Sequence, residues 1–88
     1  MPHRYELRLP ELGFADQPMT LSLWLVEIGA EVAEGDRLAE LLAGCATVDL
    51  PSPASGVLAE MLVDEDETVV PGQLLAVVVE CSSEGNNA

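Results

Sequence analysis

The chain is 88 residues long, 49% of them hydrophobic, and its formal net charge is −13. A domain of this length buries about 60–65% of the surface that its unfolded chain exposes, so we expect one modest core and no enclosed active site. The negative charge excludes nucleic acid as a partner, because phosphate binding depends on clustered cations, and it favours a partner with a basic surface. No stretch approaches the roughly 20 apolar residues of a membrane span and no signal peptide is recognised, which predicts a cytoplasmic protein without membrane contact.

Residues that could support chemistry are few. Cys45 and Cys81 are too few for a disulfide scaffold, and in a reducing compartment we expect free thiols. His3 is the single histidine and has no partner ligands at metal spacing, so no metal site is predicted. With no histidine beside either cysteine, no nucleophile elbow and no phosphate-cradling glycine loop, the chain is predicted not to be an enzyme.

The N-terminal part predicts a strand followed by a loop. Apolar and polar residues alternate over 5–9, a pattern typical of a half-buried strand, and the strand is expected to end at Pro10. The turn formers of 11–18 predict a loop that Leu12 and Phe14 anchor to the core. Because the chain has only three aromatic residues, that core should consist of valine, leucine and alanine.

A second strand is predicted from Met19. Strict alternation places four apolar residues on one face, namely Met19, Leu21, Leu23 and Leu25, and leaves Trp24 ambiguous between core and surface. Glycine-containing turns then flank a short extended segment at 31–32. Residues 37–42 form the arm that enters a central hairpin.

The central hairpin has a tight-turn signal at Gly44. A glycine followed by a larger residue is typical of a type II′ turn, which needs a positive φ only at its first central position. Cys45 is therefore predicted at the apex, facing solvent. Of Leu41 and Leu42, one must face outward if the strand is regular.

The second half repeats this alternation of strands and turns. Strands are predicted over 57–63 and 74–79, with a turn at 69–72 between them. The acidic run 64–67 is interpreted as a solvated turn, with a docking patch as the alternative. Residues 1–81 are predicted to form a single all-β domain and 82–88 a flexible polar tail.

An internal repeat explains the spacing of these elements. Residues 25–41 match residues 62–78 without a gap, at a constant offset of 37 (62 − 25 = 37). Outside this segment, Leu9–Pro10 and Leu50–Pro51 are interpreted as equivalent strand ends. Two half-domains packed face to face predict two small sheets related by a pseudo-two-fold axis, with the hairpin tip at one end and the chain termini at the other. At that separation, Cys45 and Cys81 cannot form an intramolecular disulfide.

A set of residues in a fixed order covers nearly the whole chain: Leu9–Pro10–Glu11–Leu12–Gly13, Trp24, Gly29, Gly35–Asp36, Leu38, the run 46–53 (ATVDLPSP), Gly56 and Gly72. This pattern resembles the lipoyl domains of the acyltransferase component of 2-oxo acid dehydrogenase complexes, to which biotinyl domains are related. The resemblance implies a flattened barrel-sandwich hybrid of two four-stranded antiparallel sheets, with a cofactor carried on a lysine at a hairpin tip.

At that tip the chain departs from the family. The family tip resembles Glu-Thr-Asp-Lys-Ala, whereas this chain reads Leu42-Ala43-Gly44-Cys45-Ala46. Lipoate and biotin are joined to a lysine amine through an amide, and the chain contains no lysine, so neither cofactor is predicted. The two acidic residues of the family tip are replaced as well, by Leu42 and Gly44.

The function predicted from these observations is that of an unmodified protein-interaction module related to those lipoyl domains. The predicted contact surface comprises Leu41, Leu42, Ala43, Asp64, Glu65, Asp66 and Glu67, and a homo-oligomer is left open. The alternative is a carrier or redox module that uses the Cys45 thiol, although no cation lies near Cys45 in the sequence to stabilise a thiolate.

Overall fold

The computed structural model describes residues 3–11, 13 and 18–80. These residues form eight strands and no helix: β1 (Arg4–Arg8), β2 (Met19–Trp24), β3 (Glu31–Val32), β4 (Arg37–Ala43), β5 (Ala46–Pro51), β6 (Gly56–Met61), β7 (Thr68–Val69) and β8 (Leu74–Glu80). The all-β prediction is confirmed. Predictions that concern Leu12, Phe14, Cys81 and the polar tail lie outside the described residues.

The strands form two four-stranded antiparallel sheets. The strand order is β1-β8-β6-β3 in one sheet and β5-β4-β2-β7 in the other. Each sheet therefore takes two strands from each half of the chain, whereas the sequence suggested that each half forms its own sheet. The halves interleave because the segments after β2 and β6 cross from one sheet to the other and become β3 and β7.

The pseudo-two-fold repeat is present in the strands themselves. The first residues of β2 and β6 are separated by 37 (56 − 19 = 37), and β3 to β7 and β4 to β8 show the same offset. The hydrogen bonds repeat as well: Gly29 N donates to Leu58 O over 2.8 Å, and its equivalent Asp66 N donates to Leu21 O over 2.6 Å. The predicted internal symmetry is confirmed.

The two halves differ from the predicted alignment at the proline that follows β1. Leu9 exchanges backbone hydrogen bonds with the turn at Gly72, and Ser52 exchanges the corresponding bonds with the turn at Gly35. The equivalent of Leu9–Pro10 is therefore Ser52–Pro53 rather than Leu50–Pro51, although β5 does end at Pro51 as predicted. The offset between these equivalent residues is 43 (52 − 9 = 43), six more than the 37 of the repeat, so an ungapped comparison does not detect the match.

A β-bulge decides which way Trp24 faces. The pairing of β2 with β4 shifts register between Leu21 and Leu23, and a bulge reverses the faces of the residues that follow it. Leu21 is buried, but Leu23 is exposed and Trp24 packs against the core. The strict alternation predicted for this strand was therefore wrong beyond Leu21.

The core between the sheets is aliphatic, as predicted. Its largest fully buried side chains are all leucine or valine, and buried alanines at 39 and 76 let the sheets approach closely. Within the described part of the chain, no helix has the length and apolar character that a membrane crossing requires.

The first and last described residues, His3 and Glu80, lie at the opposite end of the molecule from the hairpin tip. Glu80 N donates a hydrogen bond of 2.8 Å to His3 O, so β8 ends beside the start of β1. Glu80 also lines a surface cleft together with Asp36, the residue just before β4. Because β4 runs from there to the tip, the strand's length separates the two ends, which confirms the predicted arrangement.

Candidate functional site

The turn between β4 and β5 has the predicted geometry. Ala43 pairs with Ala46, which leaves Gly44 and Cys45 as a two-residue connection. Gly44 has a φ of 63°, and among the described residues Asp66 is the single non-glycine with a positive φ. A positive φ at the first central position alone is the signature of a type II′ turn, so this assignment is confirmed.

The hairpin presents Cys45 to solvent. The Cys45 side chain is exposed and its thiol is free. On the arm that leads to it, Leu42 is 41% exposed whereas Leu41 is fully buried and Ala43 is 2% exposed. Of the three apolar residues predicted to form a contact surface here, only Leu42 can contact a partner, because alternate residues of a strand face opposite sides of the sheet.

Leu42 lies in an uncharged row across the outer face of its sheet. It pairs with Thr20 on β2 and with Thr47 on β5, and Thr20 in turn pairs with Thr68 on β7. The row combines one exposed aliphatic side chain with three hydroxyl groups. This composition suits a contact that buries Leu42 while the threonines form hydrogen bonds at its margin.

The acidic run has a structural role that the sequence did not predict. All four residues from Asp64 to Glu67 are exposed. A Glu65 carboxylate oxygen nevertheless accepts a hydrogen bond of 2.9 Å from Trp24 N, and a Glu67 carboxylate oxygen accepts one of 2.8 Å from Asp64 N. The run is a solvated turn, as interpreted, and two of its carboxylates also hold backbone in place.

The basic groups in the described residues all have acidic neighbours. The arginine pairs are Arg4 with Glu60 at 3.7 Å, Arg8 with Glu6 at 2.9 Å, and Arg37 with Asp49 at 3.5 Å. His3 lies 2.9 Å from a carboxylate oxygen of Glu80. These pairs are exposed and contribute little to stability. Because they engage all three arginines, the other acidic side chains of the described residues have no arginine partner.

A surface cleft that the sequence did not predict lies at the end of the molecule opposite the hairpin tip. It is lined by Glu31, Val32, Ala33, Asp36, Ser55, Gly56 and Glu80. Gly56 lies at this cleft. A Cβ at this position would collide with the Val79 carbonyl oxygen, so the close packing of the two strands requires a glycine here. Within residues 3–11, 13 and 18–80, no group of histidine, cysteine and acidic side chains is arranged to hold a metal ion.

Comparison with known proteins identifies the family. Residues 5–78 match the family model described as Biotin-requiring enzyme, the biotin and lipoyl attachment family. The chain belongs to this family. The recognised resemblance to lipoyl domains is thereby confirmed, and so is the fold class that it implied.

The curated relatives of this biotin/lipoyl domain are much longer proteins. Over 82 residues the chain is 39% identical to the dihydrolipoyllysine-residue succinyltransferase component of the 2-oxoglutarate dehydrogenase complex of Staphylococcus saprophyticus, a match that covers 93% of this chain and 19% of the relative. Over 71 residues it is 35% identical to the corresponding acetyltransferase component of the pyruvate dehydrogenase complex of Staphylococcus epidermidis, a match that covers 81% of this chain and 16% of the relative. The chain spans less than a fifth of the length of these relatives.

Solved structures show the same fold. The lipoyl domain of the 2-oxoglutarate dehydrogenase complex of Azotobacter vinelandii superposes with a TM-score of 0.72 at 22% identity, covering 88% of this chain and 98% of that domain. A single-chain, multi-domain long-chain acyl-CoA carboxylase contains a similar unit, with a TM-score of 0.73 at 23% identity, which covers 93% of this chain and 8% of the carboxylase. The biotin/lipoyl domain architecture therefore accounts for the entire described fold.

Proposed function

We propose that this biotin/lipoyl domain carries neither lipoate nor biotin and acts through protein contacts at its hairpin end. The observation that supports this proposal is the apex of the hairpin, where an intact type II′ turn presents the thiol of Cys45. By the resemblance, this is the position of the attachment lysine. The protein is then a non-catalytic module whose partner belongs to an assembly of the 2-oxo acid dehydrogenase or biotin-dependent carboxylase kind.

The side chains available do not fit the family's cofactors. Lipoate and biotin are attached by an amide bond to a primary amine on a side chain, and all three basic residues of the chain other than histidine are arginines. Arginine offers a guanidinium, which does not take part in this reaction, and Cys45 offers a thiol. Loss of the carrier function with retention of the fold is consistent with the general independence of fold and function.

The contact surface of this module is centred on Leu42. Its side chain is exposed beside Thr20 and Thr47, next to the apex, so a partner that covers the apex also buries Leu42. The net charge of −13 favours a partner with a basic surface, which such a charge also attracts over long range. Leu41 and Ala43 were predicted to share this surface, but both are buried and do not contribute to it.

A second function is favoured by the exposure of Cys45, namely a carrier or redox module that uses the thiol. The simplest such reaction is exchange: the Cys45 thiolate attacks a partner's disulfide, one partner thiol leaves, and a mixed disulfide forms without any external oxidant. Against it, Arg37 lies at the opposite end of β4 and faces Asp49, so it does not stabilise a thiolate at the tip.

The mass of the protein purified from its own source, without reductant, tests the two functions. An unmodified intact mass, with unmodified peptides around Cys45, supports the contact module. A defined adduct on Cys45 overturns it in favour of the thiol carrier.

Incubation with lipoate ligase and with biotin ligase tests the exclusion of cofactors. The mass of the natural chain should not change, whereas Cys45→Lys should accept lipoate only weakly, because the acidic residues of the family tip are absent. Efficient labelling of Cys45→Lys would contradict the importance that we assign to those residues. Modification of the natural chain would contradict the proposal itself.

A further inference from the structure

Two segments cross between the sheets and are joined at Trp24, and we call the two together the crossover edge. They are residues 25–30, which follow β2, and residues 62–67, which follow β6. Trp24 joins them: its indole Nε1 donates a hydrogen bond of 3.0 Å to Val63 O. Leu25 directly follows Trp24 and Leu62 directly precedes Val63, so each leucine is one residue from that hydrogen bond.

The crossover edge exposes aliphatic side chains. Leu25 is 41% exposed, Ile28 is 60% exposed and Leu62 is 46% exposed. Leu25 and Leu62 are equivalent in the two halves, so the same apolar character appears on both sides of the pseudo-two-fold axis. Scattered exposed apolar residues are ordinary, but Leu25 and Leu62 flank the hydrogen bond that joins the two segments, and we take this pair as the centre of the apolar surface.

The same two segments carry acidic residues and no basic one. The acids are Glu27, Asp64, Glu65, Asp66 and Glu67, all exposed. None of the arginine pairs in the described residues involves them, because the arginines face Glu6, Asp49 and Glu60. An apolar surface bordered by uncompensated negative charge is complementary to an apolar surface bordered by positive charge.

From this complementarity we infer that the crossover edge is a second docking surface, for a protein segment that presents aliphatic side chains between lysines or arginines. A second copy of this chain does not fit, because it would place two sets of acids opposite each other across the interface, and like charges repel. The surface is centred on Trp24, Leu25 and Leu62 rather than on Leu42, although its acidic segment continues into Thr68 of the Leu42 row. It does not depend on the function proposed for Cys45.

Binding of defined peptides to the full chain tests this inference. The probe is a short synthetic peptide of alternating leucine and lysine, and the controls are a leucine and glutamate peptide of equal length and an oligolysine. Trp24 is the single tryptophan, so its fluorescence reports on the crossover edge directly, and backbone amide shifts locate the bound peptide. We expect the leucine and lysine peptide to shift residues 24–28 and 62–65, oligolysine to cause smaller shifts confined to the acidic residues 64–67, and the leucine and glutamate peptide to leave all of these residues unchanged.

Matched variants test the aliphatic contacts. The double variant Leu25→Ser with Leu62→Ser should weaken binding of the leucine and lysine peptide about tenfold, whereas Val70→Ser, at an exposed position after β7, should leave it unchanged. All three side chains are exposed, and circular dichroism confirms that each variant is folded. Equal binding by the double variant, equal shifts with oligolysine, or shifts confined to the tip would each overturn the inference.

Sedimentation tests the choice of occupant. At high salt, where repulsion between acids is screened, we expect the natural chain to remain monomeric. A dimer at high salt that the double variant fails to form would show that the crossover edge binds a second copy instead.

Discussion

Trp24 and Glu65 connect the two halves of the molecule, with Trp24 N lying 2.9 Å from a carboxylate oxygen of Glu65. The equivalent of Glu65 in the other half is Ile28 (65 − 28 = 37), whose aliphatic side chain cannot accept a hydrogen bond. The pseudo-two-fold symmetry is therefore broken at this pair. One crossover segment is held by a carboxylate, and the other leaves an exposed isoleucine at the same position.

Replacing Glu65 should loosen this connection. Glu65→Ala removes the acceptor for Trp24 N at a partly solvated position, so we expect a loss of about 1 kcal/mol in the free energy of unfolding. Urea denaturation measures it as a lower midpoint with an unchanged slope. The matched control is Asp64→Ala, which should fall within about 0.5 kcal/mol of the natural chain, and a loss as large as that of Glu65→Ala would show that charge rather than the hydrogen bond matters.

The turn at the hairpin tip depends on the conformation of Gly44. Its φ of 63° is strained for a residue with a Cβ, so Gly44→Ala should destabilise the protein by about 1–2 kcal/mol. Asparagine tolerates positive φ better, and Gly44→Asn should lose less than Gly44→Ala. Cys45→Ala should be close to neutral, and thermal unfolding of the three variants checks the order. An equal loss for alanine and asparagine would contradict this explanation.

Close packing of β6 against β8 depends on Gly56. A Cβ at Gly56 would meet the Val79 carbonyl oxygen, which belongs to the adjacent strand and cannot rotate away. We expect Gly56→Ala to cost about 3 kcal/mol, at the upper end of the usual cost of overpacking. Ser22→Ala, at a half-buried strand position, serves as the control, and a loss below about 1 kcal/mol in Gly56→Ala would mean that the strands separate easily.

The two leucines of the hairpin arm should separate stability from binding. Leu41 is fully buried, so Leu41→Ala should lose about 2–5 kcal/mol, whereas Leu42→Ala at a 41% exposed position should lose less than about 1 kcal/mol. Denaturation measures both. If the hairpin end is the contact surface that we propose, Leu42→Ala weakens partner binding despite its normal stability. A large loss of stability in Leu42→Ala would instead assign this side chain to the core.

Much of the fold could be predicted from local patterns. The offset of 37 between the halves, the glycine turns and the aliphatic composition predicted most of the observed strands. The exception is β7, since Val69 was assigned to a turn over 69–72 but lies in that strand. The type II′ turn followed from the order of Gly44 and Cys45, because only the first of these residues tolerates the required φ. Residue order also placed the thiol at the apex of the hairpin.

Other features depend on contacts between segments that are far apart in the chain. The bulge after Leu21 turned Trp24 toward the core, where its indole bonds to Val63, a residue 39 positions away. The exchange of strands between the sheets also depends on distant contacts, because the segment after β2 forms hydrogen bonds with β6 and the segment after β6 forms them with β2. The sequence by itself determined the strands, the turns and the chemistry of the tip, because these follow from neighbouring residues. The tertiary structure alone decided that Trp24 packs against the core and that Leu42 rather than Leu41 faces solvent, because burial depends on what packs against each strand.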